Sequence, residues 1–227
     1  MKSAQSVDNH AVDSPRQVAE QLAAEIEELA VRNTPNVRAI RRRYSRELKQ
    51  APAAFVLDVA RALKETHGHG WVAYELIRAH RAAFGSLGEA ELEALGQGID
   101  SWSSVDSFAR TLSGPAWLHG QVGDALIHRW ARSEDRWWRR AALVSTVALN
   151  MRSRGGTGDV PRTLAVCRLL VDDHDDMVVK ALSWALRQLV VHDPGAVRAF
   201  LGDYDDVLAA RVKREVTNKL TTGLKNP

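Results

Sequence analysis

The sequence predicts an all-α fold, a HEAT-like helical repeat solenoid with a concave basic surface. Three observations carry this. Apolar residues recur at three- and four-residue spacing along nearly the whole chain, and short turn signals separate the periodic segments. No segment alternates apolar and polar residues long enough to form a strand. The helices pair at a period of roughly 35 to 45 residues, the range in which HEAT-like pairs stack. Self-similarity between the units is weak, and a compact helical bundle is the competing arrangement.

The elements follow in order. Ser14-Pro15 reads as an N-cap with proline in the first turn, and Val18, Leu22, Ile26 and Leu29 form one apolar stripe behind it. Asn33-Thr34-Pro35 ends that helix and opens a basic amphipathic one, with Val37, Ile40, Tyr44 and Leu48 on one face. Pro52 starts the next, carrying Val56, Val59 and Leu63, and a glycine-histidine turn at 66–70 leads into Trp71, Tyr74, Ile77 and Phe84. Further helices run through Leu92 and Leu95, from Trp102 to Leu112, and from Gly114-Pro115 through Leu118, Leu126, Ile127 and Trp130. Asp135 caps the next, and residues 152–158 read as a glycine-rich linker. Four more helices surround Leu164–Leu170, Val178–Leu189, Val197–Leu201 and Val207–Leu220. The expected organisation is a flexible segment over 1–14, one repeat domain over 15–220 and a frayed tail over 221–227.

Composition narrows the function classes. The 227 residues are 45% hydrophobic and 26% charged, ordinary for a soluble domain. Cys167 is the only cysteine, which excludes an internal disulfide and any multi-cysteine zinc site. The polar start does not read as a signal peptide, and no run approaches the roughly 18 apolar residues of a membrane span. The expected location is the cytoplasm.

The net charge is only +3, but its distribution is uneven. Arg38, Arg41, Arg42, Arg43, Arg46 and Lys49 crowd one helix, and Asp172, Asp173, Asp175 and Asp176 another segment. A polyanion would meet a preferred side, with phosphate contacts from Arg38, Arg41, Arg42, Lys213 and Arg214 that position a duplex without reading its bases. The competing reading is a solvated helix face. His67, His69 and His174 lie where turns and caps account for polar residues, so no metal and no cofactor is expected. No phosphate-binding glycine loop, nucleophile elbow or His-Glu-x-x-His occurs.

Tryptophan is the unusual residue: seven in all, five of them between Trp102 and Trp138. Most belong in a core; those beside charges invite chemistry. Trp102 and Asp106 are four apart and share one helix face, which puts a carboxylate beside an aromatic wall. Trp184 and Arg187 are three apart, and Arg139-Arg140 follows Trp137-Trp138.

Ser101-Trp102-Ser103-Ser104-Val105-Asp106-Ser107, Trp137-Trp138-Arg139-Arg140-Ala141-Ala142 and Lys180-Ala181-Leu182-Ser183-Trp184-Ala185-Leu186-Arg187 occur in that order. In these the chain resembles the AlkD-like DNA alkylation repair family, with weaker similarity at Thr34-Pro35-Asn36-Val37-Arg38 and Arg211-Val212-Lys213-Arg214-Glu215. The resemblance spans about Thr34 to Leu220. It implies a HEAT-like solenoid cradling duplex DNA, with Asp106 the catalytic carboxylate, Trp102 and Trp184 aromatic walls beside the damaged nucleotide, and Arg140 and Arg187 contacts to DNA near the lesion. The implied reaction is hydrolysis of the N-glycosidic bond of N3- or N7-alkylated purines in double-stranded DNA, without metal or organic cofactor, by a monomer that leaves an abasic site. Many relatives carry a further acidic or aromatic residue directly after the first tryptophan, where this chain has Ser103 and Ser104. Two other functions stay open on the sequence: a catalytically weak or inactive paralogue that binds distorted or branched DNA, and a HEAT-like protein-interaction scaffold.

Overall fold

The computed structural model describes residues 14–227, and everything regular among them is helical. Contacts divide the chain into two compact units, one ending at His80 and the other running from Arg81 to Pro227. The domain expected over 15–220 is thus described as two units, each with its own core. The flexible segment expected over 1–14 lies outside the described residues except for Ser14.

The first unit holds α1 (Pro15–Glu27), α2 (Thr34–Glu47), α3 (Ala53–Glu65) and α4 (Gly70–Ala79). Ser14 starts α1 with a reciprocal cap: its hydroxyl accepts from Gln17 N at 3.3 Å while its own N–H donates to Gln17 Oε1 at 2.8 Å. Asn33 caps α2 by accepting from Asn36 N at 2.9 Å. α1 packs on α2 and α3 on α4, while α1 also packs on α3 and α2 on α4. Two helix pairs are therefore stacked like on like, the repeat arrangement in which each pair covers the apolar face its neighbour leaves open. Leu22, Val56, Val59, Leu63, Leu76 and Ile77 are completely or almost completely buried between them.

The second unit begins with two short helices, α5 (Arg81–Gly85) and α6 (Glu89–Gly96). The run expected to continue from Trp71 to Phe84 breaks at His80, which leaves helical geometry at φ −97° and ψ 106°. Neither proline nor glycine announces that break. α7 (Trp102–Phe108) continues through a π-helical turn at Ala109–Ser113 into α8 (Gly114–Leu118), so Gly114-Pro115 does not open a separate helix. Proline has no N–H, and its ring cannot sit against the carbonyl four residues back; the wider π turn absorbs it without ending the helix. The chain turns at 119–123 before α9 (Asp124–Ala131), dividing the helix expected from Gly114 to Trp130.

The remaining helices are α10 (Arg136–Asn150), α11 (Val160–Leu169), α12 (Asp176–Leu189), α13 (Pro194–Asp203) and α14 (Ala210–Thr222). α10 packs on α9 and α12 on α11 within pairs, while α10 packs on α12, α12 on α14 and α9 on α11 between pairs. α7 and α8 lie against α10 as well. One row therefore runs from α7 through α10 and α12 to α14. α10 is its centre and is buried on every side from Arg140 to Asn150. The segment at 152–158 is no loose linker: Gly158 has φ +93°, and a Cβ there would lie 2.5 Å from the His192 ring. His192 Nε2 in turn lies 2.7 Å from Asn150 O, which ties the turn to the end of α10.

Candidate functional site

The row just described carries the residues of interest. Ser101 begins α7 with a serine version of the capping box: Ser104 N donates to Ser101 Oγ at 3.3 Å and Ser101 N to Ser104 Oγ at 3.1 Å. Ser103 adds its hydroxyl 3.2 Å from Ser101 Oγ. The two small polar residues after Trp102 are thus engaged in the cap. Trp102 stands at the first turn and is 59% exposed, the most exposed of the large hydrophobic side chains here. Asp106 follows one turn later on the same face.

Asp106 is half-buried and gripped from α10. Arg140 donates from Nε to Oδ1 and from a terminal nitrogen to Oδ2, both at 2.9 Å, and its other terminal nitrogen donates to Met177 O at 2.6 Å. Arg140 is only 5% exposed. Its guanidinium is engaged inside the protein, so it holds Asp106 and does not lie open for the contact to DNA near the lesion that the resemblance implies. Burial pushes the Asp106 carboxyl above its ordinary value, against the opposing pull of the Arg140 hydrogen bonds and of the Arg140 and Arg110 charges.

Arg110 stands one further turn along, in the π segment. Its guanidinium carbon lies 5.4 Å from the centroid of the Trp184 ring on α12. Trp184 is half-buried and thereby partly covered by a cation. One turn later on α12, Arg187 donates from Nε to Ser183 Oγ at 3.1 Å and lies 3.9 Å from Glu215 on α14. Ser183 Oγ donates in turn to Glu215 Oε2 at 2.6 Å, and Lys225 Nζ reaches Glu215 Oε1 at 3.4 Å. Burial pushes Arg187 below the usual arginine value, with the Glu215 charge opposing.

Four sequence-chosen residues, Asp106, Arg140, Trp184 and Arg187, therefore lie along one row, and Trp102 shares the Asp106 face without a ring contact among the described residues. The expected phosphate contacts fall elsewhere. In the first unit, Arg38 and Arg41 both pair with Glu75, at 2.7 and 3.1 Å, and Arg38 lies over Trp71. Arg42 is exposed and pairs with nothing among the described residues. In the second unit, Lys213 pairs with Asp205 at 3.1 Å and Arg214 is exposed. Sequence reading missed Arg110, whose four-residue step from Asp106 was available as a signal. It gave Glu215 and Ser183 no role, because their meeting depends on how α12 packs on α14.

Among the described residues, no three His, Cys, Asp or Glu side chains gather to hold an ion. Asp173 binds Arg139 Nε at 2.7 Å, Asp175 caps α12, and Asp176 pairs with Lys180. Cys167 is fully buried, its thiol pushed up to about 12 by burial. Of the other tryptophans, Trp117 and Trp130 are core residues whose indole N–H groups donate to Asp124 and Glu93.

Fold and site together define a helical-repeat protein that presents an arginine-held carboxylate beside indole surfaces. The family model described as DNA alkylation repair enzyme matches residues 13–220, and the chain belongs to that family. The match takes in α1, which lies before the motifs that first suggested the likeness. Neither the curated proteins nor the solved structures give a match. Membership makes alkylation repair the protein's role and DNA its partner. No described helix is long and apolar enough to cross a membrane.

Proposed function

We propose that the protein is a monofunctional DNA glycosylase that hydrolyses the N-glycosidic bond of N3- or N7-alkylated purines in duplex DNA, leaving an abasic site. The observation that carries this is Asp106, a half-buried carboxylate fixed by Arg140 one helical turn from the exposed Trp102 indole. Alkylation at N3 or N7 gives the purine a formal positive charge, so it departs without a general acid. The C1′–N bond breaks with its electron pair going to the purine, whose charge is thereby cancelled. The oxocarbenium-like sugar that remains needs a nearby negative charge and a water, the demand a carboxylate meets in glycoside hydrolysis.

Each Asp106 oxygen accepts one hydrogen bond from Arg140 and keeps acceptor capacity for a water. That water adds to C1′ and yields its proton to the carboxylate. Trp102 offers an open aromatic face to the cationic nucleotide, and Trp184 flanks it from α12. Such a contact is worth about 0.5–2 kcal/mol, depending on desolvation. Arg187 contacts DNA near the lesion, and Arg38, Arg41, Arg42, Lys213 and Arg214 contribute phosphate contacts. The protein acts as a monomer in the cytoplasm, nucleoid-associated when bound.

The test is release of free 7-methylguanine or 3-methyladenine from a defined methylated duplex. Asp106→Asn should lower the single-turnover rate roughly a hundred- to a thousandfold while leaving the affinity for undamaged duplex unchanged. A folded, DNA-binding wild type that releases no base would sink the glycosylase reading in favour of a binder of distorted or branched duplex.

A further inference from the structure

Among the described residues, Arg110 is a cation without a counter-charge of its own. Among the described residues, no ion pair and no side-chain hydrogen bond engages its guanidinium, and Nε is buried with no acceptor. Asp106, a carboxylate that feels its charge, already accepts two hydrogen bonds from Arg140. The cluster of Asp106, Arg140 and Arg110 therefore carries one positive charge more than it neutralises. A partly desolvated surplus cation is costly unless a ligand supplies the missing anion.

The way Arg110 is held also matters. Its backbone is held by Arg154, which donates to Arg110 O at 2.9 Å. Its guanidinium lies over the Trp184 ring at 5.4 Å. The ring contact supplies no acceptor, so the terminal N–H donors, which no described residue engages, are left for an oxyanion. An arginine ordered by an indole and lacking an acceptor is a preformed half of a guanidinium–phosphate pair.

We propose that Arg110 takes a DNA backbone phosphate beside the damaged nucleotide, and that Trp184 is its positioning residue. This rests on the reading that the Asp106 face meets duplex DNA. Trp184 then has a second task beyond flanking the lesion: it holds the cation that fixes the strand over Asp106. Arg187 differs, because Glu215 already stands against it.

The experiment measures binding of undamaged duplex across a salt series for the full chain, its Arg110→Ala, Arg110→Lys and Trp184→Leu variants, and the Arg110→Ala/Trp184→Leu double variant, with thermal unfolding to confirm that each is folded. Arg110→Ala should lower the slope of log affinity against log salt by about 0.9, the signature of one lost phosphate contact. Arg110→Lys should retain most of that slope, since the charge remains. Trp184→Leu should weaken binding severalfold in the Arg110 background and not at all in the Arg110→Ala background, because its effect acts through Arg110. A folded Arg110→Ala protein with an unchanged slope, or losses that simply add, overturns the proposal. Base release from methylated duplex is scored separately, so a wild type that fails to excise while keeping this slope pattern would sink the glycosylase reading and leave the phosphate contact standing.

Discussion

Arg140 meets Asp106 with two parallel hydrogen bonds, Nε to Oδ1 and a terminal nitrogen to Oδ2, each 2.9 Å long. The pair joins α7 to α10 from inside the row, and the third bond, to Met177 O, carries the link on to α12. Both the aim of the carboxylate and the packing of three helices thus depend on one guanidinium. Arg140→Ala leaves Asp106 half-buried and uncompensated, and should cost on the order of 3 kcal/mol of unfolding free energy. Arg140→Lys keeps the charge, but an ammonium cannot reproduce the planar fork, so the cost should be about 1.5–3 kcal/mol. Urea unfolding of both variants checks the order: alanine at least as costly as lysine, and neither neutral.

The same grip sets a pH dependence. Asp106 ionises above its ordinary value of 3.8, because burial outweighs the attraction of Arg140 and Arg110. Excision needs the carboxylate charged, so activity should fall as pH drops through a midpoint higher than that of an unperturbed aspartate. Arg140→Lys, which weakens the hydrogen bonds that favour the charged form, should move this acid limb to still higher pH. Stability runs the other way. The folded chain binds this proton more tightly than the unfolded chain, so the Asp106 contribution is most favourable at low pH and is lost as pH rises through the folded value. Single-turnover rates and unfolding curves across the acid range check both signs.

Much of this was legible in advance, for reasons that differ by residue. The helices announced themselves because their caps are local: Ser14, Asn33 and Asp135 each accept from a backbone N–H within three residues. The Trp102–Asp106 face followed from a four-residue step. The engagement of Arg140 was not legible, since an arginine after two tryptophans reads as surface until α7 and α12 are packed around it. The break at His80 and the continuity of Trp102–Leu118 through Pro115 were equally hidden. At His80 packing ends a helix that no glycine or proline interrupts, and at Pro115 it continues one that proline should end.

Arg187 rests on a relay whose parts should differ sharply in worth. Ser183 is fully buried and both accepts from Arg187 and donates to Glu215, whereas Lys225 approaches Glu215 from a side chain 43% exposed. Ser183→Ala removes two hydrogen bonds to charged groups and should cost about 1.5–3 kcal/mol. Lys225→Ala should cost less than about 1 kcal/mol, because solvent screens the lysine. Thermal unfolding of the two variants side by side separates them; equal losses would mean that Glu215 is held chiefly from the C-terminal tail.

Gly114 is where the site's geometry can be broken from a distance. It lies just past the π turn, where α8 crosses α10, next to the buried Ser113–Ser145 hydroxyl pair at 2.7 Å. A Cβ at this position would stand 2.7 Å from Ser145 O, 2.8 Å from the Ala148 Cβ and 2.9 Å from Ala109 O. Two of these are backbone atoms, so no side-chain rotation relieves the clash, and α8 must move away from α10. Overpacking of this kind costs about 1–3 kcal/mol. The displacement is transmitted along the continuous helix to Asp106, whose bonds to Arg140 tolerate only a few tenths of an ångström before their geometry is lost. Gly114→Ala should therefore lower the excision rate more than its stability loss explains, at a temperature where the variant is still fully folded. Excision at full activity by a folded Gly114→Ala protein would show that the Asp106–Arg140 pair is held independently of the α8–α10 crossing.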